Sequence, residues 1–378
     1  MIPYSRQSVD ANDIKAVVGV LSSDFITQGP TVSKFEKSLA LYCGVEYAVA
    51  VSNGTAALHL AYLAAGLKKG DEAITTPNTF AATSNMLLVV GARPVFADIR
   101  LDTRNLDETK IEKLITPKTK VIVPVHFAGL PCDMKTISSI AKKRRLLVIE
   151  DACHALGARY RDSKIGDCKY SDMAVFSFHP VKTITTGEGG AVLTNKKSYY
   201  DKLLRLRSHG IHKDKIGKNV MTALGYNYRM TDIQAALGLS QLSKVDSFVR
   251  RRNQVARYYE EELKNSKDVL LPVSFPGYYS AGHIYVIRVS NRKNRDELAS
   301  FLKKNGIGAN FHYPAVYSHP YYRRNGYKNI RLAQTEKYHN SCITLPCYPG
   351  LSKSIVREIA GLINKFFIKN ENTRVDSV

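Results

Sequence analysis

Lys182 lies within FSFHPVKTITTGEGG (residues 176–190), a stretch of small, hydroxyl-bearing and glycine residues in a chain that is otherwise rich in basic side chains. Its neighbours Ser177, Thr183 and Thr185 are uncharged, and the glycines of GEGG leave room for a ligand beside the backbone. A lysine becomes a nucleophile when its ammonium group loses a proton, which burial favours. The stretch is therefore compatible with a lysine that forms a Schiff base, and the alternative is an ordinary lysine on a solvated surface.

Asp151 directly follows the almost fully apolar run Leu146–Glu150, which predicts a buried strand with this aspartate at its carboxyl end. A buried carboxylate needs a cationic or hydrogen-bonding partner, and a protonated pyridine nitrogen is one such partner. The alternative is an aspartate that caps a helix or lies in a loop. His154, which follows shortly after, either forms a hydrogen bond with a ligand or fills a polar gap in the protein.

The segment SNGTAALHL at residues 52–60 combines a glycine turn with the start of a predicted helix. Unpaired N–H groups and the helix dipole attract an anion at such a start, where Gly54, Thr55 and Ala56 would supply the amides. An ordinary connection between a strand and a helix explains the pattern as well.

Phe80 follows the loop after the next predicted strand, where it either stacks on a planar ligand ring or packs in the core.

Short apolar runs alternate with helical patterns between residues 45 and 195. The predicted strands are Tyr47–Val51, Ala73–Thr76, Pro94–Ala97, Val121–Val125, Leu146–Glu150, Met173–Phe178 and Ala191–Thr194, and the predicted helices are Thr55–Ala65, Phe80–Val90 and Met134–Arg144. Continuous apolar strands separated by helices indicate an α/β fold with a mostly parallel sheet that is covered on both faces. Ligands of such sheets bind at the carboxyl ends of the strands, where the candidate residues above are expected to meet.

A second region begins at Thr231–Gln234, whose spacing is that of a capping box at a helix start. The helical pattern continues, with a break, to about Lys264, and a smaller α/β unit follows. This unit is predicted to contain a strand at Ile284–Val289, a helix at Arg295–Lys304 and a last helix at Lys353–Phe367 that Ser352 caps. We divide the chain into an N-terminal segment with a large domain (residues 1–240), a small C-terminal domain (241–368) and a polar tail expected to be disordered (369–378).

The composition is that of a soluble globular protein with a sizeable core, since 44% of the 378 residues are hydrophobic and 23% are charged. No apolar run is long enough to span a membrane, and MIPYSRQSVDANDIK at the N-terminus lacks the layout of a secretory signal. We therefore expect a cytoplasmic location and no membrane partner. The six cysteines form no CxxC pair and show no metal-ligand spacing, so they are expected to be reduced thiols and no metal is expected.

The net charge of +22 raises the hypothesis that the protein binds nucleic acid. The basic residues are dispersed, however, and the longest cluster, Arg250–Arg252, lies in a helical pattern. No nucleic-acid-binding module is recognisable. We therefore expect no nucleic-acid partner, and we interpret the charge as a general basic bias or as an attraction for anionic small substrates.

Five segments resemble motifs of the fold-type I aminotransferases that depend on pyridoxal 5'-phosphate (PLP), specifically the sugar aminotransferases of the DegT/DnrJ/EryC1/StrS family. They are SNGTAALHL, TTPNTFAATSN, VIEDACHALGA, FSFHPVKTITTGEGGA and GYNYRMTDIQAALG. The resemblance covers nearly the whole chain, residues 2–365, and the order and spacing of the last three segments are highly specific. It implies a fold-type I architecture, with a mostly parallel central sheet flanked by helices and a smaller C-terminal α/β domain, and PLP as the cofactor.

The resemblance also implies roles for individual residues. Lys182 matches the catalytic lysine that binds the cofactor covalently, Asp151 the partner of the pyridine nitrogen, and Phe80 the aromatic residue that stacks on the ring. His154 stands near the phenolic oxygen of the ring, where many relatives carry glutamine. Some relatives carry histidine at the lysine position and catalyse a dehydration, and Lys182 argues against that branch.

The phosphate-binding positions of the family match Thr55, Ala56 and Ser177. Asn227 matches an asparagine that reaches the phosphate in the neighbouring subunit, so a homodimer with shared active sites is implied. The segments on the substrate side contain Tyr4, Asp24, Phe25, Ile26, Thr27, Arg229, His312, Tyr313 and Pro314. Many relatives have a histidine shortly after the last of these segments, and this chain has Tyr317 there.

The segments PYSRQSVD, FITQGPTVSKFE and SFHPVKTITTGEGG are similar to those of the family branch that acts in pseudaminic acid biosynthesis. The resemblance implies that L-glutamate donates an amino group to C4 of a UDP-linked 4-keto-6-deoxy-N-acetylhexosamine. One alternative is another nucleotide 4-keto sugar, of the perosamine or 4-amino-arabinose type. A different class of alternative is a PLP-binding regulator without turnover.

Overall fold

The computed structural model describes the backbone of residues 1–375 and the side chains of residues 1–368. The α-helices are α1 (Ala11–Leu21), α2 (Pro30–Cys43), α3 (Gly54–Ala64), α4 (Ala82–Val89), α5 (Ile111–Leu114), α6 (Met134–Arg144), α7 (Lys197–Arg207), α8 (Asp232–Leu242), α9 (Val245–Leu263), α10 (Arg292–Lys304), α11 (Pro320–Tyr322), α12 (Ala333–His339) and α13 (Lys353–Val375). The strands are β1 (Tyr47–Val51), β2 (Glu72–Thr75), β3 (Arg93–Phe96), β4 (Thr119–Val123), β5 (Leu147–Asp151), β6 (Arg159–Tyr160), β7 (Ser163–Lys164), β8 (Met173–Ser177), β9 (Gly190–Thr194), β10 (Ile211–Lys213), β11 (Asn219–Met221), β12 (Tyr278–Tyr279), β13 (Tyr285–Arg288) and β14 (Cys342–Leu345).

The central sheet has seven strands in the order β1-β9-β8-β5-β4-β2-β3. Strand β9 is antiparallel to both of its neighbours, and the other neighbouring pairs are parallel. The prediction of a mostly parallel α/β sheet is therefore confirmed. Because the parallel strands share one direction, their carboxyl ends meet at one edge, where β5 ends at Asp151 and β8 ends at Ser177.

Helices cover both faces of this sheet, which explains why its strands are almost continuously apolar. On one face, Phe35 and Leu39 of α2 pack in a buried cluster with Phe176 of β8. On the other face, Leu60 of α3 packs in a second cluster with Val175 of the same strand. Alternate residues of β8 thus enter different cores, as the two-residue period of a strand requires.

The helix start and the helix break that the sequence predicts for the second region are both present in the structure. The capping box at Thr231 forms, since Gln234 N–H donates to the Thr231 hydroxyl oxygen (3.2 Å) and the Gln234 side chain accepts from Thr231 N–H (2.9 Å). The helical pattern breaks between Leu242 and Val245, which separates α8 from α9. Helix α9 then leads into a smaller unit, whose core surrounds the antiparallel pair β13-β14.

The N-terminal residues connect to both parts of the structure. Ile2 forms a parallel bridge with Ile307, and Cys347 N–H donates to the Tyr4 carbonyl (2.9 Å). Ser5 donates its hydroxyl to the Val181 carbonyl (3.3 Å), next to Lys182. The division of the chain at residue 240 stays a prediction.

Several element boundaries differ from the sequence-based ones. Helix α4 begins at Ala82 rather than at Phe80, so Phe80 belongs to the preceding loop. Helix α13 is capped by Ser352 as predicted (Ile355 N–H to the hydroxyl, 3.3 Å), but it continues past Phe367 to Val375. The backbone of residues 369–375 continues this helix, and residues 376–378 lie outside the described part of the chain. The expected disorder of the polar tail stays a prediction. Across residues 1–375, no helix combines the length and the apolar character needed to cross a bilayer.

Candidate active site

A cavity of about 950 Å³ opens at the carboxyl edge of the central sheet. Of the residues proposed from the sequence, it is lined by Tyr4, Thr55, Ala56, Phe80, Asp151, His154, Ser177, Lys182, His312, Tyr313 and Pro314. These residues come from the ends of several strands, from the N-terminal segment and from the smaller unit. The fold therefore gathers most of the predicted site in one place, as expected for ligands of a parallel sheet.

Lys182 follows β8 in a loop whose backbone is fixed, since its N–H donates to the His179 carbonyl (2.9 Å). Its side chain lines the cavity together with Asp151 and Cys153. Burial lowers the pKa of Lys182 below its ordinary value, and the neighbouring Cys153 and Asp151 partly oppose this shift. An amine with a lowered pKa loses its proton more readily, which is the state that a nucleophilic or general-base lysine needs.

Asp151 is the last residue of β5 and is 5% exposed. The Thr83 hydroxyl donates to Oδ2 (2.6 Å) and the Cys153 N–H donates to Oδ1 (3.2 Å). Both donors are uncharged, and a carboxylate can accept about four hydrogen bonds. Asp151 therefore neither caps a helix nor lies in a solvated loop, and it can accept a further bond from a cationic group in the cavity.

The start of α3, which the sequence suggests as an anion site, forms a narrow turn beside the cavity. Gly54 and Thr55 are the first two residues of α3, so their N–H groups lie at the helix start, and Thr55 is exposed. A Cβ atom on Gly54 would lie 2.8 Å from Cβ of Ser177, so only glycine lets this turn approach β8 so closely. The N–H of Ala56 already donates to the Asn53 side chain (2.8 Å), so the prediction that it offers an unpaired amide is wrong.

Aromatic and imidazole rings form another wall of the cavity. Phe80 is 61% exposed and lies 6.2 Å from the Tyr313 ring, so it is not a core residue. The Tyr313 hydroxyl lies 3.1 Å from Nε2 of His154. Burial lowers the pKa of His154 well below its ordinary value, and the charges of Lys182 and His312 act in the same direction. Burial therefore favours the neutral form of the His154 imidazole.

The structure adds cavity residues that the sequence did not point to. His283 lies with its ring centroid 4.3 Å from that of His154, and His319 also lines the cavity. Tyr317 is buried against Phe96 (6.1 Å between centroids) and lies away from the cavity. No local pattern marks His283, which is an isolated histidine shortly before β13. His319 could have been noticed, because it closely follows the segment that contains His312.

Six of the residues assigned to the site do not line this cavity. They are Asp24, Phe25, Ile26, Thr27, Asn227 and Arg229. The residues from Asp24 to Thr27 are exposed, and so is Asn227. Tyr226 and Tyr228 pack against the cluster that contains α3. Because successive side chains of an extended segment point to opposite sides, Asn227 between them points outward.

Comparison with known proteins adds an independent finding. Residues 7–364 match the DegT/DnrJ/EryC1/StrS aminotransferase family. The chain belongs to this family. One relative of this aminotransferase is the UDP-4-amino-4,6-dideoxy-N-acetyl-beta-L-altrosamine transaminase of Campylobacter jejuni (subsp. jejuni serotype O:23/36, strain 81-176). It is 39% identical over 358 residues, which are 93% of this chain and 94% of the relative.

Solved structures of similar aminotransferases share the fold. Helicobacter pylori PseC, an aminotransferase involved in the biosynthesis of pseudoaminic acid, has a TM-score of 0.92 and 35% identity, over 97% of this chain and 99% of that one. The PLP form of Spr1654 from Streptococcus pneumoniae has a TM-score of 0.91 and 30% identity, over 97% and 99% of the two chains. The protein is therefore a PLP-dependent sugar aminotransferase of fold type I.

The residues of the cavity fit PLP. The buried Asp151 carboxylate has only neutral donors among the contacts described above, and the close approach of Gly54 to Ser177 forms a turn that suits a phosphate group. The exposed ring of Phe80 offers a stacking surface, and Lys182 supplies an amine. A carboxylate, a phosphate turn, an aromatic face and a lysine are thus present around one cavity.

Proposed function

We propose that the enzyme transfers an amino group from L-glutamate to C4 of a UDP-linked 4-keto-6-deoxy-N-acetylhexosamine. The product would be UDP-4-amino-4,6-dideoxy-N-acetyl-β-L-altrosamine, for pseudaminic acid biosynthesis. The observation that carries the transamination is that Lys182 and Asp151 line the same cavity at the ends of neighbouring strands. The identity of the sugar is supported by the relatives from Campylobacter jejuni and Helicobacter pylori.

Each cofactor-binding residue has a physical task in this proposal. Bound PLP supplies an electron sink for the carbon that loses a proton. Asp151 would hold the protonated pyridine nitrogen, and Phe80 would stack on the ring. The phosphate would be bound by Thr55 and Ala56 at the start of α3 and by Ser177, with the Ala56 N–H also bonded to Asn53. His154 would lie beside the phenolic oxygen.

Lys182 carries the proton transfer. With PLP bound, Nζ of Lys182 would be the atom that holds the cofactor. As a free amine, Nζ would take a proton from the α-carbon of the donor and, in the second half-reaction, would give a proton to C4 of the sugar. The lowered pKa of Lys182 favours the unprotonated amine that the first step requires.

The proposal includes a homodimer with shared active sites. Ile14, Val18 and Leu21 recur at helical spacing on α1, Phe25 follows shortly after the helix, and each of the four is more than half exposed. An exposed apolar row of this kind is typical of an interaction surface. A partner subunit packed on it would give the exposed Asn227, the segment from Asp24 to Thr27 and Arg229 a place at the second active site.

On the substrate side, Tyr4, His312, Tyr313 and Pro314 line the cavity of the same chain. The net charge of +22 favours the capture of an anionic nucleotide sugar. It does not distinguish UDP from GDP or dTDP, because all three carry the same diphosphate.

The test is to incubate the purified enzyme with PLP, L-glutamate and a panel of UDP-, GDP- and dTDP-linked 4-keto sugars, and to determine the product by NMR. We expect amination at C4 of the UDP-linked N-acetylhexosamine with the altro configuration. The Lys182→Ala variant serves as the control and should give no product. Preferred turnover of a GDP- or dTDP-linked sugar would contradict the proposed substrate, and product formation by Lys182→Ala would contradict the proposed role of the lysine.

A further inference from the structure

Arg252 of α9 contacts the loop that carries Lys182 and is 1% exposed. Its Nη1 donates to the backbone carbonyls of His283 (3.0 Å) and Cys347 (2.8 Å), and its Nη2 donates to the backbone carbonyl of Lys182 (3.3 Å). One guanidinium group therefore joins three chain segments that are far apart in sequence.

Burying a guanidinium group in this way has a free-energy cost. A buried arginine needs a carboxylate or a full set of acceptors to offset the loss of its hydration. The acceptors of Arg252 named above are all neutral carbonyls, and its Nε has no hydrogen-bond partner within the described residues. Burial accordingly lowers the pKa of Arg252.

The three acceptors lie where they can affect the reaction. Lys182 belongs to the loop after β8 of the central sheet, whereas His283 and Cys347 flank β13 and β14 of the smaller unit. Lys182 and His283 both line the cavity. Bonds to their backbone oxygens fix the position of the two peptides relative to each other.

We propose that Arg252 is a positioning residue that holds the Lys182 peptide against the smaller unit, and so sets the approach of the lysine amine to the reacting carbon. This inference rests on the proposed function, in which Lys182 carries the proton. A displacement of about 1 Å at such a group can reduce the rate by about a hundredfold. A guanidinium can reach the three carbonyls at once because its N–H groups form a rigid fork, whereas the ammonium of a lysine cannot.

The neighbouring Arg251 provides a matched control. Its Nε donates to the Pro349 carbonyl (2.9 Å) and its Nη2 to the Leu351 carbonyl (2.8 Å). It thus lies in the same helix and bonds to the same C-terminal region, but neither acceptor lines the cavity. Loss of stability is expected from changes at either arginine, and an effect on Lys182 only from changes at Arg252.

The experiment compares wild type, Arg252→Lys, Arg252→Gln and Arg251→Lys, each first checked for cooperative unfolding. The first readout uses cofactor-free protein: modification of Lys182 by an amine-reactive reagent is followed against pH by mass spectrometry. The second is transamination with PLP. We expect the Arg252 variants to change the modification profile and to lose about tenfold to a hundredfold in kcat with KM for glutamate changed by less than about threefold. Arg251→Lys should match wild type in both readouts.

The outcomes separate this inference from the proposed function. If wild type and Arg251→Lys show no transamination, the proposed function fails. If they are active and a folded Arg252 variant matches Arg251→Lys in both readouts, the positioning role is overturned. If both Arg252 variants fail to fold while Arg251→Lys folds, Arg252 serves the fold alone, and the positioning role is likewise overturned.

Discussion

The Thr83 hydroxyl lies 2.6 Å from Oδ2 of Asp151 and donates a hydrogen bond to it. Thr83 is itself held in place, since its hydroxyl oxygen lies 2.8 Å from that of Thr79 and its carbonyl accepts from the Tyr62 hydroxyl (3.0 Å). Asp151 is therefore oriented by side chains of α3, of α4 and of the loop between β2 and α4. A carboxylate held in a fixed orientation is what a cationic pyridine nitrogen requires from its partner.

The Thr83→Val variant should bind PLP more weakly than wild type. A hydrogen bond to a charged group contributes about 1.5–3 kcal/mol, so the affinity should fall by about tenfold to a hundredfold. The measurement is a fluorescence or absorbance titration of the cofactor-free protein with PLP. Thr83→Ser keeps the hydroxyl and serves as the control. Equal affinities for the two variants would show that this bond does not support Asp151.

The Asp151→Asn variant should keep the cofactor but turn over slowly. An amide can accept a bond from a pyridine nitrogen, but it does not stabilise the positive charge that makes the ring an electron sink. We expect kcat to fall by more than about a hundredfold. Bound cofactor is measured by its visible absorbance, and kcat by the formation of 2-oxoglutarate. Full activity would remove the argument for a charged ring nitrogen.

The Gly54→Ala variant should disturb the phosphate turn. The added Cβ would lie 2.8 Å from Cβ of Ser177, so α3 must move away from β8. Such overpacking costs about 1–3 kcal/mol, and if this cost must be met to form the phosphate-binding geometry, the affinity for PLP should fall by about fivefold to a hundredfold. Gly361→Ala in α13 is the control, because its Cβ would meet nothing within 4 Å. That change should leave PLP affinity unaltered, and equal binding by the two variants would contradict a phosphate site at this turn.

The proposed catalytic residues were more predictable from the sequence than the residues that contact them. The position of Lys182 and Asp151 at or just after the end of an apolar strand made them candidates, because a parallel sheet binds its ligands there, and the family resemblance supplied their roles. Thr83, Arg252 and His283 reach the site from distant parts of the chain. They contact the site through residues that are far apart in sequence: Thr83, for example, is 68 residues from Asp151. No local sequence pattern predicts such contacts.

The histidines of the cavity make the stability of the cofactor-free protein depend on pH. Burial, together with the charge of Lys182, lowers the pKa of His312 from 6.5 to about 4, and the pKa values of His154 and His283 are also lowered. Between pH 6.5 and about 4, His312 therefore binds a proton in the unfolded chain but not in the folded protein. The free energy of unfolding should therefore fall as the pH decreases from 6.5 towards 4, and for these groups it should be largest above 6.5.

Urea unfolding of the cofactor-free protein at several pH values measures this dependence. One such histidine contributes a slope of at most about 1.4 kcal/mol per pH unit. His312→Gln should reduce the slope, whereas the exposed His212→Gln should leave it unchanged. An unaltered slope in His312→Gln would mean that folding does not change the pKa of His312.

The shared active site can be tested by combining two inactive subunits. Lys182 lines the cavity of its own chain, whereas Asn227 is exposed and outside it. If Asn227 completes the site of the partner subunit, a dimer of one Lys182→Ala and one Asn227→Ala subunit contains one intact site and one doubly altered site. Co-expression of the two variants should then restore about a quarter of wild-type activity, because about half of the dimers are mixed.

The matched control pairs Lys182→Ala with Asp151→Asn. Both residues line the same cavity, so each site of that mixed dimer carries one defect and no activity should return. Subunits with two different affinity tags allow the mixed dimers to be purified before the assay. Restoration by the pair with Asn227→Ala, and not by the control pair, assigns Asn227 to the site of the partner subunit. Absence of restoration, with Asn227→Ala inactive alone and mixed dimers recovered, would place the effect of Asn227 within its own chain.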